Sequence, residues 1–213
     1  MTAIRVMLAD DHAVVRRGVR QILADAEDIQ VVGEARDFGE ISALLRVEEC
    51  DVLVLDISMP GKNGIESLKV LRERNPRMQV IVLSMFPEDQ YAVRALRAGA
   101  AGYISKEGAP EKLVEAIRQA ARGRKYVTPE VALALAERLD AKAHAGNPHD
   151  SLSDREYETL RLIAAGKKLS EIAEILALSP KTVSVYRARL LEKMKLRNNA
   201  DLTRYAVKLG LVE

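Results

Sequence analysis

Val52-Leu-Val-Leu-Asp56-Ile-Ser-Met-Pro60-Gly61 is the stretch on which the reading of the first half of the chain turns. Four apolar residues run straight into an acid and then a proline–glycine turn signal. A run this short and apolar at every position reads as a strand buried on both faces, the kind found in parallel sheets. The same grammar recurs on either side of it: Ile4–Ala9 ends in Asp10-Asp11, Val80–Leu83 in Ser84 and Tyr103–Ser105 in Lys106, with Gln30–Gly33 as a further run. Between the runs lie amphipathic stretches, with Val15, Val19, Ile22 and Leu23, then Ile41, Leu44 and Leu45, then Ile65, Leu68 and Leu71 at helical spacing. Ala92, Ala95 and Leu96, and Leu113, Ile117 and Ala120, complete the series. Parallel neighbours need helical crossovers, so five such units predict an α/β doubly wound sheet of five parallel strands. Asn63, Pro87 and Pro110 read as helix starts, Gly99 and Gly123 as stops.

The length of 213 residues suits two domains, and 48% hydrophobic with 30% charged residues is ordinary for a globular chain. The net charge is only +2, but the basic residues gather late: residues 151–213 hold twelve Lys/Arg against eight Asp/Glu. Ser179–Arg197 alone has six basic residues and one acid, Glu192, which suits contact with a polyanion as well as it suits a solvated helix face. The single cysteine, Cys50, excludes a disulfide framework and fits a reducing compartment. The start of the chain does not read as a signal peptide, and no apolar run approaches a bilayer span. The expectation is a cytoplasmic protein without membrane contact. Three regions are expected: 1–124, a partly helical linker over 125–150 containing a helix from Pro129 to Ala143, and an all-helical 151–213. His144 and His149, in the turn-rich linker, read as solvated.

Ligands of doubly wound sheets sit beyond the carboxyl ends of the strands. There this chain delivers Asp10, Asp11, Asp56, Ser84 and Lys106. Singly, each reads as readily as a solvated loop residue or a helix cap; five at matching strand ends are hard to attribute to accident. Clustered carboxylates require a cation, and all-oxygen ligation suits Mg²⁺. A carboxylate beside Mg²⁺ can take up a phosphoryl group, with Lys106 neutralising charge. His12 adjoins the acidic pair and at most tunes its edge.

Asp10-Asp11, Asp56-Ile-Ser-Met-Pro60-Gly61, Leu83-Ser84 and Gly102-Tyr-Ile-Ser-Lys106 together resemble the receiver domain of two-component response regulators, a flavodoxin-like fold, over about the first 120 residues. The resemblance implies that Asp56 accepts a phosphoryl group from a sensor histidine kinase. It implies that Asp11, Asp56 and the Ser58 carbonyl bind Mg²⁺, with Asp10 helping through water, and that Ser84 and Lys106 hold the phosphoryl oxygens. It further implies a switch in which Ser84 moves toward the phosphoryl group and Tyr103 fills the space it leaves. Beyond its own phosphorylation and dephosphorylation the domain is not expected to be an enzyme. Two departures stand out. Glu107 follows Lys106 where the family frequently has proline, and since a non-proline cis bond is costly none is assumed there. Met85 follows Ser84 where a small residue is common, and predicts restricted access to Asp56 and a long-lived phosphorylated form.

In the C-terminal region Ser153 and Glu156 form the pattern of a capping box. A helix over Leu169–Ala177 is followed by Ser179-Pro180, a cap and a first-turn residue, and then by a basic helix from Pro180 to about Met194. That is the arrangement of a helix-turn-helix. Val183, Leu190, Leu191 and Met194 are expected inward; Lys181, Ser184, Val185 and Ala188 share an outward stripe suited to a DNA major groove. Thr182 adjoins the stripe, while Tyr186, Arg187, Arg189 and Lys193 flank it as phosphate contacts, Arg187 with a structural ion pair as its alternative. Leu152-Ser-Asp-Arg-Glu156, Ser170-Glu-Ile-Ala173, Leu178-Ser-Pro-Lys-Thr-Val183 and Leu190-Leu-Glu-Lys-Met-Lys-Leu196 resemble the LuxR-type four-helix domain. With the receiver, the chain resembles the NarL/FixJ family. The resemblance implies double-stranded promoter DNA as a ligand, homodimers on phosphorylation or on DNA, and RNA polymerase as a further partner. It makes the last helix Asn199–Leu209 the partner contact, although its apolar residues Ala200, Leu202, Ala206 and Leu209 read as readily as closing the domain core. The competing readings are a constitutive DNA binder with a receiver used only as scaffold, and a Mg²⁺-dependent phosphatase. The second lacks a glycine-rich phosphate loop and a separate acid/base residue.

Overall fold

The computed structural model describes residues 3–59, 64–85, 88–141, 148–176 and 178–212. Two compact units divide the chain, Met1–Glu137 and Arg138–Glu213. In the first, strands β1 (Ile4–Ala9), β2 (Ile29–Ala35), β3 (Val52–Leu55), β4 (Gln79–Ser84) and β5 (Gly102–Ser105) alternate with helices α1 (Ala13–Ala24), α2 (Phe38–Leu44), α3 (Gly64–Arg74), α4 (Glu88–Arg97) and α5 (Ala109–Ala121). The sheet is parallel throughout, in the order β2-β1-β3-β4-β5. β1 and β3 are both interior strands, and every residue of β3 is buried, as expected of a strand covered on two faces. One layer of the core gathers Val6, Leu8, Val54, Ile81 and Ile104 with Leu113 and Ile117 of α5.

β2 extends beyond the expected Gln30–Gly33 because it pairs with β1 along its whole length. Gly99 and Gly123 have φ of 104° and 72°, the left-handed region that lets them end helices. Pro110 lies in the first turn of α5. The expected starts at Asn63 and Pro87 lie outside the described residues. The Lys106–Glu107 bond is trans.

The stretch 125–150, read as a linker, is drawn in at both ends. Tyr126 bridges to Gly102 beside β5, its amide donating to the Ala101 carbonyl at 2.7 Å. Helix α6 (Pro129–Ala141) follows, and the division between the two units falls within it. A 3-10 turn at Pro148–Ser151 opens the second fold, and here one expectation is corrected. His149 is not solvated but 4% exposed: its Nδ1 shares a 2.7 Å hydrogen bond with the Tyr205 hydroxyl, and its ring lies 6.0 Å from that of Tyr157. Tyr157, on the helix that follows, and Tyr205, distant in sequence, build that slot, which no local signal announced. His144 lies outside the described residues.

The second unit contains α7 (Asp154–Ala164), α8 (Leu169–Ile175), α9 (Pro180–Met194) and α10 (Asn199–Lys208). α7 packs against α9 and α10, and α8 against α9. The expected capping box is present, with the Ser153 amide donating to Glu156 Oε2 at 2.8 Å and the Ser153 side chain receiving the Glu156 amide. Ser179 caps α9 by accepting from the Thr182 amide at 3.1 Å.

Candidate functional sites: an acidic pocket and a basic helix

Strand order reverses between β1 and β3, and at such a switch point the loops after neighbouring strands diverge and leave a crevice. Asp10 and Asp11 follow β1, Asp56 follows β3, Ser84 ends β4, and Lys106 follows β5. All five residues named from the sequence therefore reach one end of the sheet. Lys106 Nζ lies 2.7 Å from both Asp56 Oδ2 and Asp10 Oδ2, an ammonium bridging two carboxylates. Asp10 is 4% and Asp56 1% exposed, and Ser84 is fully buried. Asp56 Oδ1 accepts the Ser58 amide at 2.8 Å, which folds the loop after β3 back over the carboxylate. Asp10 Oδ1 accepts the His12 amide at 2.8 Å and does the same after β1.

Burial pushes the Asp56 carboxyl above its ordinary range, against the pull of Lys106 and the Ser58 amide. Burial alone would lower the Lys106 ammonium, but Asp56 and Asp10 outweigh it and hold it high. The lysine thus stays charged among three carboxylates it cannot fully neutralise.

Asp10, Asp11, His12 and Asp56 each offer a ligand atom, all within 4.8 Å of one another. A cluster of that span, rich in carboxylate oxygens, fits a small hard divalent cation such as Mg²⁺. The arrangement offers a nucleophilic carboxylate, a fixed cation and room for a metal, the requirements of phosphoryl uptake.

Two supports, Arg16 and Gly64, escaped the sequence reading, and His12, read there as tuning the edge of the acidic pair, now has a geometry. Arg16, on α1, donates from Nη1 to the Asp10 carbonyl at 2.6 Å and tethers the β1 loop. Gly64 opens α3 so close to the β3 loop that a Cβ there would lie 2.2 Å from the Ile57 carbonyl oxygen. His12 carries its Nδ1 2.9 Å from Asp11 Oδ1. The repeated β-strand grammar gave no hint of Arg16 or Gly64, since one acts on a backbone carbonyl and the other through the absence of a side chain. Tyr103 is 2% exposed, so its ring is already turned into the protein.

On α9, Val183, Leu190 and Met194 are buried and Leu191 half-buried, whereas Lys181, Ser184, Val185, Ala188 and Arg189 are exposed. Ser179 and Thr182 hydroxyls lie 2.8 Å apart at the start of the helix. Two of the flanking cations are engaged. Arg187 Nε donates to Asn199 Oδ1 at 2.6 Å, joining α9 to α10 through a neutral partner instead of an ion pair. Lys193 Nζ lies 2.7 Å from Glu156 Oε2, so the capping carboxylate of α7 also anchors α9.

A protein-family model for the response regulator receiver domain matches residues 6–118, and one for the luxR family of bacterial regulatory proteins matches 150–206. The chain belongs to the NarL/FixJ family of response regulators. Response regulator GacA of Pseudomonas aeruginosa is 39% identical over 99% of this chain and 98% of its own. UvrY of Escherichia coli K12 is 38% identical over 98% and 95%. A solved structure of the Salmonella typhimurium response regulator RcsB superimposes with a TM-score of 0.68 at 32% identity, over 98% of this chain and 99% of that one. This response regulator therefore couples a receiver to a LuxR-type DNA-binding domain and works in the DNA-binding control of transcription. Among its described residues no helix is long and apolar enough to cross a membrane.

Proposed function

We propose that Asp56 takes a phosphoryl group from a sensor histidine kinase, and that the loaded receiver alters dimerisation or domain arrangement so that α9 engages promoter DNA. The observation that carries this reading is the Lys106 ammonium set 2.7 Å from both Asp56 and Asp10, in a pocket where the carboxylates outnumber it. An Asp56 oxygen attacks the phosphorus of a phosphohistidine, the P–N bond breaks, and the freed imidazole keeps the electron pair and takes a proton. Asp11, Asp56 and the Ser58 carbonyl would hold Mg²⁺, with Asp10 acting through water; when bound, the metal supplies neutralisation of the phosphoryl oxygens. Lys106 holds one such oxygen and Ser84 donates to another. Loading replaces the single carboxylate charge with a phosphoryl group carrying roughly two, along with three acceptor oxygens, which draws Ser84 inward. Tyr103, turned inward here, completes the switch by occupying the space beside β5.

In the second domain Lys181, Thr182, Ser184, Val185 and Ala188 form the surface that meets base edges, and the small residues let the helix sit deep in the major groove. Arg187, Arg189 and Lys193 contribute phosphate contacts, Arg187 and Lys193 while holding α9 to α10 and α7. RcsB has been seen bound to the promoter rprA with a phosphomimetic BeF₃⁻, and as two dimers on two parallel DNAs, which supports DNA-bound dimers for this chain. Acting at promoters in the cytoplasm, such dimers stand where RNA polymerase is the next partner.

The test is intact-mass spectrometry with Mg²⁺ and a small phosphodonor, paired with binding of genomic fragments at stated salt. A phosphoryl mass shift that Asp56→Asn abolishes, together with phosphodonor-enhanced DNA binding, is expected. DNA binding indifferent to phosphodonor would instead favour the constitutive binder. Lys181→Ala should relax sequence preference, whereas Arg189→Ala should weaken all sequences alike and reduce the salt slope by about one.

A further inference from the structure

His12 occupies the N-cap of α1, a position normally taken by a residue whose side chain accepts a hydrogen bond from the first turn. Its imidazole makes no such bond. The ring is turned back toward the carboxylates, with Nδ1 2.9 Å from Asp11 Oδ1 and 3.3 Å from Asp10 Oδ1. The side chain is 66% exposed, so burial does not force this orientation. The His12 backbone is held as well, its amide donating to Asp10 Oδ1 at 2.8 Å. The imidazole thus stands at the open rim of the acidic pocket while the carboxylates line its floor.

We infer that His12 is a further ligand of the divalent-metal site and tilts it toward first-row transition ions, Mn²⁺ among them, relative to Mg²⁺. This rests on the reading of the pocket as a metal site. Donor atoms on opposite sides of a bound ion lie about 4.2 Å apart, twice a typical metal–oxygen distance. The four candidate atoms, from Asp10, Asp11, His12 and Asp56, already lie within 4.8 Å of one another, so a small contraction brings them around one ion. Mg²⁺ takes oxygen donors and retains water, and gains little from an imidazole at its edge. First-row transition ions bind imidazole well, and for them the same ring is an added bond. Competition among divalent ions at the pocket is therefore set partly by a residue outside the carboxylate set.

Pulsed EPR of Mn²⁺ bound to the full-length protein tests this directly, together with calorimetric affinities for Mn²⁺ and Mg²⁺. Wild type is expected to show nitrogen hyperfine coupling from a directly bound imidazole. Protein labelled with ¹⁵N-histidine should change that coupling from the ¹⁴N to the ¹⁵N pattern, a readout that needs no variant. His12→Gln should lose the coupling and weaken Mn²⁺ about tenfold while Mg²⁺ changes less than about twofold. Mn²⁺ that Asp11→Asn displaces but that shows no histidine coupling overturns the role of His12 and leaves the pocket reading intact. If Asp11→Asn and Asp56→Asn bind Mn²⁺ as wild type does, the pocket reading falls with it. A histidine signal that survives His12→Gln also overturns the inference, because another histidine then supplies it.

Discussion

At the scale of single residues, the pocket depends on two side chains that are conspicuous for their size. Gly64 is obligatory for a packing reason, since a Cβ would press on the Ile57 carbonyl oxygen at 2.2 Å and the Ile57 Cα at 2.5 Å. Both are backbone atoms and cannot rotate away. Ile57 sits between Asp56 and Ser58, so the strain of Gly64→Ala passes directly to the phosphoryl site. The variant should lose about 1–3 kcal/mol of stability and become phosphorylated more slowly, as read by thermal melting and time-resolved intact mass. Met85 is the opposite case: 66% exposed, directly after the fully buried Ser84. From the sequence, its bulky thioether is expected to restrict access to Asp56. Met85→Ala should accelerate both loading by a small phosphodonor and loss of the phosphoryl group. Unchanged rates in both directions would dispose of that role for the thioether.

At the scale of elements, α9 is joined to its neighbours by polar bonds as well as by its buried Val183, Leu190 and Met194. Glu156 is 2% exposed and serves two elements, accepting from the Ser153 amide that starts α7 and pairing with Lys193 on α9. Burial works to raise its pKa, but Lys193 and the Ser153 groups outweigh it and hold the carboxyl below the ordinary range. A carboxyl depressed in the folded state stabilises that state above its unfolded pKa of about 4.3 and ceases to do so as pH falls through the folded value. Melting curves of wild type between about pH 6 and pH 3 should therefore show a loss that Glu156→Gln lacks. Glutamine keeps the capping geometry, so the difference isolates the charge. Lys193 is 42% exposed, and solvent screening limits the contribution to about 1 kcal/mol. Parallel curves for the two proteins would remove the pair from the account of how α9 is held.

At the scale of the whole molecule, the proposed loading of Asp56 has to be felt at the DNA-binding surface. The adjacent strands β4 and β5 carry Ser84 and Tyr103, both buried, and the proposed switch requires movement of one to be felt in the packing of the other. Tyr103→Ala should still take up the phosphoryl group at Asp56, because Tyr103 is not among the residues proposed to hold the metal or the phosphoryl oxygens. The phosphorylated variant should fail to gain dimer, measured by sedimentation with and without phosphodonor. Full phosphorylation-dependent dimerisation in Tyr103→Ala would place the relay elsewhere.

Sequence alone determined the parallel five-stranded sheet, the convergence of Asp10, Asp11, Asp56, Ser84 and Lys106, and the inward and outward faces of α9. These follow from short continuous apolar runs, the 3.6-residue helical period and the residues at strand ends, which are properties of neighbouring residues. Only the tertiary structure revealed the tethering of Asp10 by Arg16, the closeness of Gly64 to Ile57, and the double duty of Glu156. The burial of His149 against Tyr157 and Tyr205, where solvation was expected, belongs with them. Each of these joins residues that chain order keeps apart, and no local pattern records a distance through space.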